Sequence, residues 1–276
     1  MSGLRFCSTD WQYAGMRKLA LSLVLLCVFA VVLGTGCMTV PETGRRQLIL
    51  ISPQAELQLE ISSYNEMKRH SRLSADQNLQ AMVRRVGERI ASVAPLQGAQ
   101  WEFNVVENNE ANAFCMPGGK VAIYSGILPI TQNEAGLAAV MGHEVAHAVA
   151  RHGAERISEG MLFQLGGQIL NQSLAHQDPR IQQSWSLAYG LGTQLVRTLP
   201  HNRTQESEAD KLGLLFMARA GYDPEEAVKF WLRFAAHNRQ LGNATPWFLR
   251  THPLDEKRIT DLQKAMPEAK AQYRPR

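Results

Sequence analysis

Met141-Gly142-His143-Glu144-Val145-Ala146-His147 spells H-E-x-x-H inside a stretch of helical pattern. On a helix, residues i and i+4 share one face about a turn apart. His143 and His147 therefore aim two imidazoles at one point, an arrangement that suits a zinc ion. Glu144 lies beside them, placed to act as a base on a water at that point. Around the motif, Ala138, Ala139, Val140, Val145, Ala146, Ala148, Val149 and Ala150 make the helix apolar nearly all round. Such a helix is buried, and buried imidazoles need partners. Thr131-Gln132-Asn133-Glu134 reads as a capping box that starts this helix, with Thr131 as the cap, and Gly153 as its end.

Catalytic zinc takes three protein ligands and keeps one position open. The best third candidate lies in Gln205-Glu206-Ser207-Glu208-Ala209-Asp210. Glu206 and Asp210 stand at i and i+4 and share a helix face. Glu208, two residues from each, points elsewhere. Asp210 behind the site would hold the second ring nitrogen of His143, as imidazoles bound to a metal require. One zinc ion per chain is expected on these residues. His252, in Thr251-His252-Pro253 ahead of the last helix, has two candidate roles. It could donate a hydrogen bond to an oxyanion, or bind the metal as a fourth ligand and hold the site shut.

The chain has 276 residues, 45% hydrophobic and 20% charged, with a formal net charge of +4. That is ordinary globular composition with enough chain for a substantial core. No dense Lys/Arg block interleaved with aromatics occurs, which argues against nucleic acid as a partner. The cysteines Cys7, Cys27, Cys37 and Cys115 form no C-x-x-C pair.

Arg17 and Lys18 precede an apolar run from Leu19 to Leu33, and Gly34-Thr35-Gly36 then leads to Cys37. A basic segment, a short apolar segment and small residues make an export signal. Small residues directly before a cysteine resemble a bacterial lipoprotein signal, which makes residues 1–36 a signal peptide and Cys37 the lipidated residue; the alternative is an uncleaved anchor helix, for which the run is short against a span of about 20 residues. Met38 in the following position resembles lipoproteins of the outer membrane. Residues 37–51, with Pro41, Gly44 and Arg45-Arg46, read as a tether. A single domain is expected over residues 52–276.

Within it, Ser52-Pro53 opens a helix that runs to about His70. A second helix is expected from about Ala75 to Val93, with Leu79, Met82, Val83, Val86 and Ile90 on one face. Trp101 to Val106 and Val121 to Tyr124 read as two strands of a hairpin, turned at Pro117-Gly118-Gly119. An edge strand there could take an extended peptide by strand addition. Residues 156–199 read as a helical lid or insert, broken at Gln177-Asp178-Pro179. Asn202 to Ala220 reads as the helix of Glu206 and Asp210. Asp223-Pro224-Glu225-Glu226 opens another helix. A last helix is expected over about Leu254 to Ala265, with a loose polar tail from Pro267. The fold class is α+β and mainly helical, with a small β-sheet beside the motif helix.

Taken together, these motifs resemble the M48-type zinc metallopeptidases, a family of gluzincins. The residues that carry the likeness are His143 to His147 with Arg151-His152, Glu206 to Asp210, Ala220-Gly221-Tyr222-Asp223-Pro224, and Thr251-His252-Pro253 with Arg258-Ile259. Asn112-Ala113-Phe114 and Pro117-Gly118-Gly119 match the family's hairpin before the active helix, which makes Asn112, Ala113 and Phe114 the expected substrate edge. The resemblance implies Glu206 as third ligand and peptide-bond hydrolysis with Glu144 as base. It implies polypeptide substrates, misfolded or misassembled envelope proteins among them. The chain is similar to the compact lipoprotein members, which implies a place in the outer membrane facing the periplasm and outer-membrane assembly proteins as candidate further partners. An envelope chaperone or assembly adaptor with weak or no proteolysis is the alternative.

Overall fold

The computed structural model describes residues 36–198, 200–240, 248, 252 and 256–275. The export signal expected over 1–36 lies outside them except for Gly36. So does most of the segment between residues 240 and 256.

The architecture is α+β and mainly helical. Two short strands come first, β1 (Cys37–Thr39) and β2 (Arg46–Leu48), then α1 (Pro53–His70) and α2 (Gln77–Ala91). A three-stranded sheet follows, from β3 (Glu102–Val106), β4 (Ala113–Cys115) and β5 (Lys120–Tyr124). A single-turn α3 (Leu128–Thr131) leads to α4 (Glu134–Val149), the helix of the H-E-x-x-H motif. Then come α5 (His152–Ser173), α6 (Pro179–Thr198), α7 (Pro200–Arg219), α8 (Glu225–Gln240) and α9 (Glu256–Gln272).

Helix α4 is the centre of the core. Every residue from Gly136 to Val149 is buried, enclosed by α2, α7, α8 and β4. Its contact with α7 is glycine on glycine. A Cβ on Gly142 would lie 2.7 Å from the carbonyl oxygen of Gly213, and one on Gly213 would lie 2.7 Å from the amide nitrogen of His143. Real Cβ atoms do not approach backbone so closely, so only glycine at both positions lets the two backbones meet.

Several elements differ from the sequence expectation, each for a local reason. The cap of α4 is Asn133, whose Oδ1 accepts from the amide of Gly136 at 2.8 Å. Thr131 instead closes α3, its hydroxyl donating to the carbonyl of Leu128. The helix ends at Ala150 rather than Gly153, because Arg151 takes a left-handed conformation (φ 55°) and the chain re-enters helix at His152. The hairpin partner of β5 is β4, across the turn at 116–119, while β3 pairs with β5 in parallel. Three-residue β4 was hidden in the polar run before Pro117.

Residues 37–51 do not form a free tether. β1 and β2 make an antiparallel pair, anchored by buried Val40 and Ile49. Gln47 donates to the carbonyl of Ala150 at 2.9 Å, and the amide of Leu50 donates to Ser158 Oγ. The C-terminal segment is not loose either. α9 continues through Pro267 to Gln272 with Ala269 fully buried, so packing outweighs the hydrogen bond that proline removes. α5 and α6 are two consecutive helices, joined through residues 174–178.

Gly213→Ala should lower stability by about 1–3 kcal/mol through overpacking, read as a shift in the urea midpoint. Gly153→Ala, where an added Cβ meets nothing within 4 Å, should be neutral or stabilising in the same assay.

Candidate metal centre

His143 and His147 project from the middle of α4 and Glu206 from α7, which crosses α4 at the paired glycines, beside His143 and about two turns along α7 from Glu206. His252 reaches the same point from the segment before α9. The Nε2 atoms of His143 and His147 are 3.1 Å apart. His143 Nε2 lies 3.2 Å from Glu206 Oε2 and 3.2 Å from His252 Nδ1. Glu206 Oε1 is 3.3 Å from His147 Nε2, and its Oε2 is 3.0 Å from His252 Nδ1. All four side chains are buried.

Donors about 2.0–2.1 Å from a tetrahedral ion lie about 3.3 Å from one another. The separations of 3.0–3.3 Å given above fit that spacing. Their protonation fits as well. His143 Nδ1 lies 3.0 Å from Asp210 Oδ1, so the proton of a neutral ring sits there and the Nε2 lone pair faces the cluster. Lone pairs and a carboxylate converging in a dry place need a cation between them. The chemistry of three imidazoles and one carboxylate suits zinc.

The electrostatics agree with this need. Burial works to lower the pKa of His143, but contacts with Asp210 and Glu206 outweigh it and raise it to about 9. Burial first, and the neighbouring His143 and His152 rings with it, hold His147 well below the usual imidazole range against the pull of Glu206. Glu206 is opposed by burial, yet the surrounding histidines hold its carboxyl well below the usual range. Glu144 is different: burial dominates and raises it. Its Oε1 accepts no hydrogen bond among the described residues and lies 3.5 Å from His252 Nε2.

Asp210 sits behind His143, and Arg258 of α9 holds it. Nε and Nη2 of Arg258 donate to the two Asp210 oxygens at 2.7 Å each. The guanidinium stacks on Trp231, 4.0 Å from the ring centroid, and its Nη1 lies 3.3 Å from Glu206 Oε2. Burial would raise Asp210, but Arg258 outweighs it and keeps the carboxyl lowered. Glu208 does point away from the cluster, as its place in the helix required. It meets His152 Nε2 at 2.9 Å, and His152 Nδ1 lies 2.8 Å from His147 Nδ1. The roles of His152 and Arg258 escaped sequence reading. His152 is brought round by the left-handed turn at Arg151, and Arg258 is 48 residues from Asp210, so neither contact has a local periodic signal.

Asn112, Ala113 and Phe114 are at or in β4, which lies at the margin of the sheet and packs against α4. A cleft of about 410 Å³ flanks it, lined by Met67, Asn112, Phe114, Met116 and Tyr124 among others.

A family model for peptidase family M48 matches residues 77–266. The chain belongs to peptidase family M48. It is 35% identical over 239 residues to the mitochondrial metalloendopeptidase OMA1 of Schizosaccharomyces pombe, covering 83% of this chain and 66% of that one. It is 39% identical over 184 residues to OMA1 of Saccharomyces cerevisiae, covering 64% and 50%. It is 28% identical over 260 residues to the beta-barrel assembly-enhancing protease of Escherichia coli, covering 90% and 52%. The chain thus spans between half and two thirds of the length of these M48 relatives.

Arg258→Met strands the buried Asp210 carboxylate and should cost about 3–5 kcal/mol in urea unfolding. The folded pKa of Asp210 is lowered, so its share of stability is complete above an unfolded pKa of about 4 and is lost as pH falls through the folded value. In the metal-free variant the acid limb of unfolding should move to higher pH than in the wild type.

Proposed function

We propose that this M48 chain is a zinc-dependent endopeptidase of the bacterial cell envelope. In this reading Cys37 carries a lipid that holds it at the outer membrane, facing the periplasm, and misfolded or misassembled envelope proteins are its substrates. The observation that carries the reading is the convergence of His143, His147, Glu206 and His252 in one buried cluster, with Glu144 beside it and its Oε1 accepting no hydrogen bond among the described residues. Relatives named as metalloendopeptidases and as beta-barrel assembly-enhancing proteases support it. Among the described residues no helix is long and apolar enough to cross a membrane, which is compatible with a lipid anchor.

Zinc held by His143, His147 and Glu206 would polarise a peptide carbonyl and make a water acidic enough to attack it near neutral pH. The chain's own residues do the rest. An extended substrate adds as a strand to the open edge of β4, with Asn112, Ala113 and Phe114 along it and side chains reaching the flanking cleft. Glu144 takes the proton of the attacking water on a carboxylate oxygen and passes it to the leaving amine. Its raised pKa brings it nearer the working pH, as proton transfer in both directions requires. Asp210, held by Arg258, fixes the ring of His143. His252 Nδ1 is one of the four converging atoms, which favours the blocking role over the oxyanion-donor role: its imidazole fills the place that substrate needs. Opening the site then requires His252 to leave.

Glu144→Gln should keep one zinc per chain and the fold, and lower peptide turnover about 10²–10⁴-fold. His143→Ala and Glu206→Ala should lose the zinc, read by metal analysis after dialysis. His252→Ala should keep zinc and cleave a casein-type substrate faster than the wild type. A slower His252→Ala would restore the oxyanion-donor role. Equal protection of unfolded substrate by wild type and Glu144→Gln, with no cleavage by either, would favour the chaperone reading.

A further inference from the structure

Both imidazoles of the motif helix need their second nitrogen held. For His143 the holder is Asp210 of α7, braced by Arg258. For His147 the chain of contacts is longer and ends in the N-terminal hairpin. His147 Nδ1 faces His152 Nδ1 at 2.8 Å, His152 Nε2 faces Glu208 Oε2 at 2.9 Å, and Arg45 Nε donates to that same oxygen at 2.7 Å. The Thr43 hydroxyl donates to the other Glu208 oxygen. The remaining nitrogens of Arg45 donate to Glu155 at 2.7 and 2.8 Å. His152 is wholly buried, and Glu208 and Glu155 nearly so.

The protons in this chain can be placed. A carboxylate only accepts, so the hydrogen of neutral His152 lies on Nε2 and its Nδ1 carries a lone pair. His147 must then donate from Nδ1, which leaves its own Nε2 lone pair aimed at the cluster. The opposite ring state of His152, with hydrogen on Nδ1, would put a proton on His147 Nε2 and close it to a metal. Whatever fixes Glu208 therefore fixes the useful face of His147.

We propose that the N-terminal hairpin is part of the metal centre, with Arg45 a positioning residue that acts through Glu208 and His152 to hold His147 ready for zinc. The inference rests on the zinc reading above. Arg45 suits the task because a guanidinium can bind two carboxylates at once in a fixed plane. Without it, Glu155 and Glu208 become buried charges with no counter-charge from the hairpin, and Glu208 is free to turn from His152. The two motif histidines are then backed alike: each has a carboxylate of α7 and an arginine from one end of the domain, Arg258 from α9 and Arg45 from the hairpin. Because β1 begins at Cys37, the same contacts join the metal centre to the proposed point of anchoring.

The test is zinc affinity of the full chain by chelator competition, with the melting temperature of the metal-free form recorded beside it. Arg45→Met should weaken zinc binding about 10–100-fold, and Arg45→Lys should recover part of the loss. His152→Phe should weaken zinc by a similar factor, and adding Arg45→Met to it should weaken zinc no further. Glu208→Gln, which keeps the Arg45–Glu155 pair, should also lose affinity and serves if Arg45→Met does not fold. The proposal is overturned if Arg45→Met and Glu208→Gln bind zinc like the wild type while melting lower, which is the mark of a brace alone. It is equally overturned if the losses of Arg45→Met and His152→Phe multiply. A wild type that binds no zinc overturns the metal reading itself.

Discussion

The close crossing of α4 and α7 at Gly142 and Gly213 is the constraint on which the rest of the structure depends. It brings two backbones together at a distance that no Cβ allows, and it does so one residue from His143. From that crossing, α4 supplies His143, Glu144 and His147, while α7 supplies Glu206, Glu208 and Asp210 on neighbouring faces. A wider crossing would leave Glu206 short of the imidazoles. The apolar shell of α2, α8 and the sheet holds the crossing in place, and it also dries the site, which strengthens each charge inside.

Dryness has a cost that the surroundings offset. Buried carboxylates and imidazoles lose hydration, so each must have a partner. Arg258 meets Asp210, Arg45 meets Glu208 and Glu155, and Gln205 donates to Glu155 as well. Among the described residues, Glu144 keeps an oxygen beside the cluster that accepts no hydrogen bond. That exception is placed where a proton carrier is needed in the proposed reaction. His252 packs on Phe248, so its place in the cluster rests on that ring contact as well as on the other ligand atoms.

Much of this was legible in the residues. The helical period placed His143 with His147 and Glu206 with Asp210, and it sent Glu208 to another face, because helix geometry fixes those directions within five residues. The start of α1 followed from Ser52-Pro53 and the end of α7 from Gly221. What escaped was non-local or conformationally rare. The left-handed Arg151 cannot be read from an arginine codeword, since that conformation is uncommon outside glycine. β4 is three residues long, too short for a period. The hairpin of Cys37 to Leu48 looks like a polar tether until its partners 100 residues away are known. Pro267 marked a helix end by local rule, and packing of Ala269 overrode it.

The metal reading and the closed state of the site meet in one quantity, the number of imidazoles on the ion. X-ray absorption at the zinc edge, on wild-type protein loaded with one zinc in solution, measures it directly. Three imidazoles and one carboxylate, with no sulfur, are predicted from His143, His147, His252 and Glu206. Two imidazoles would contradict the closing role of His252, and an ion surrounded mainly by water would contradict the buried cluster as a metal site.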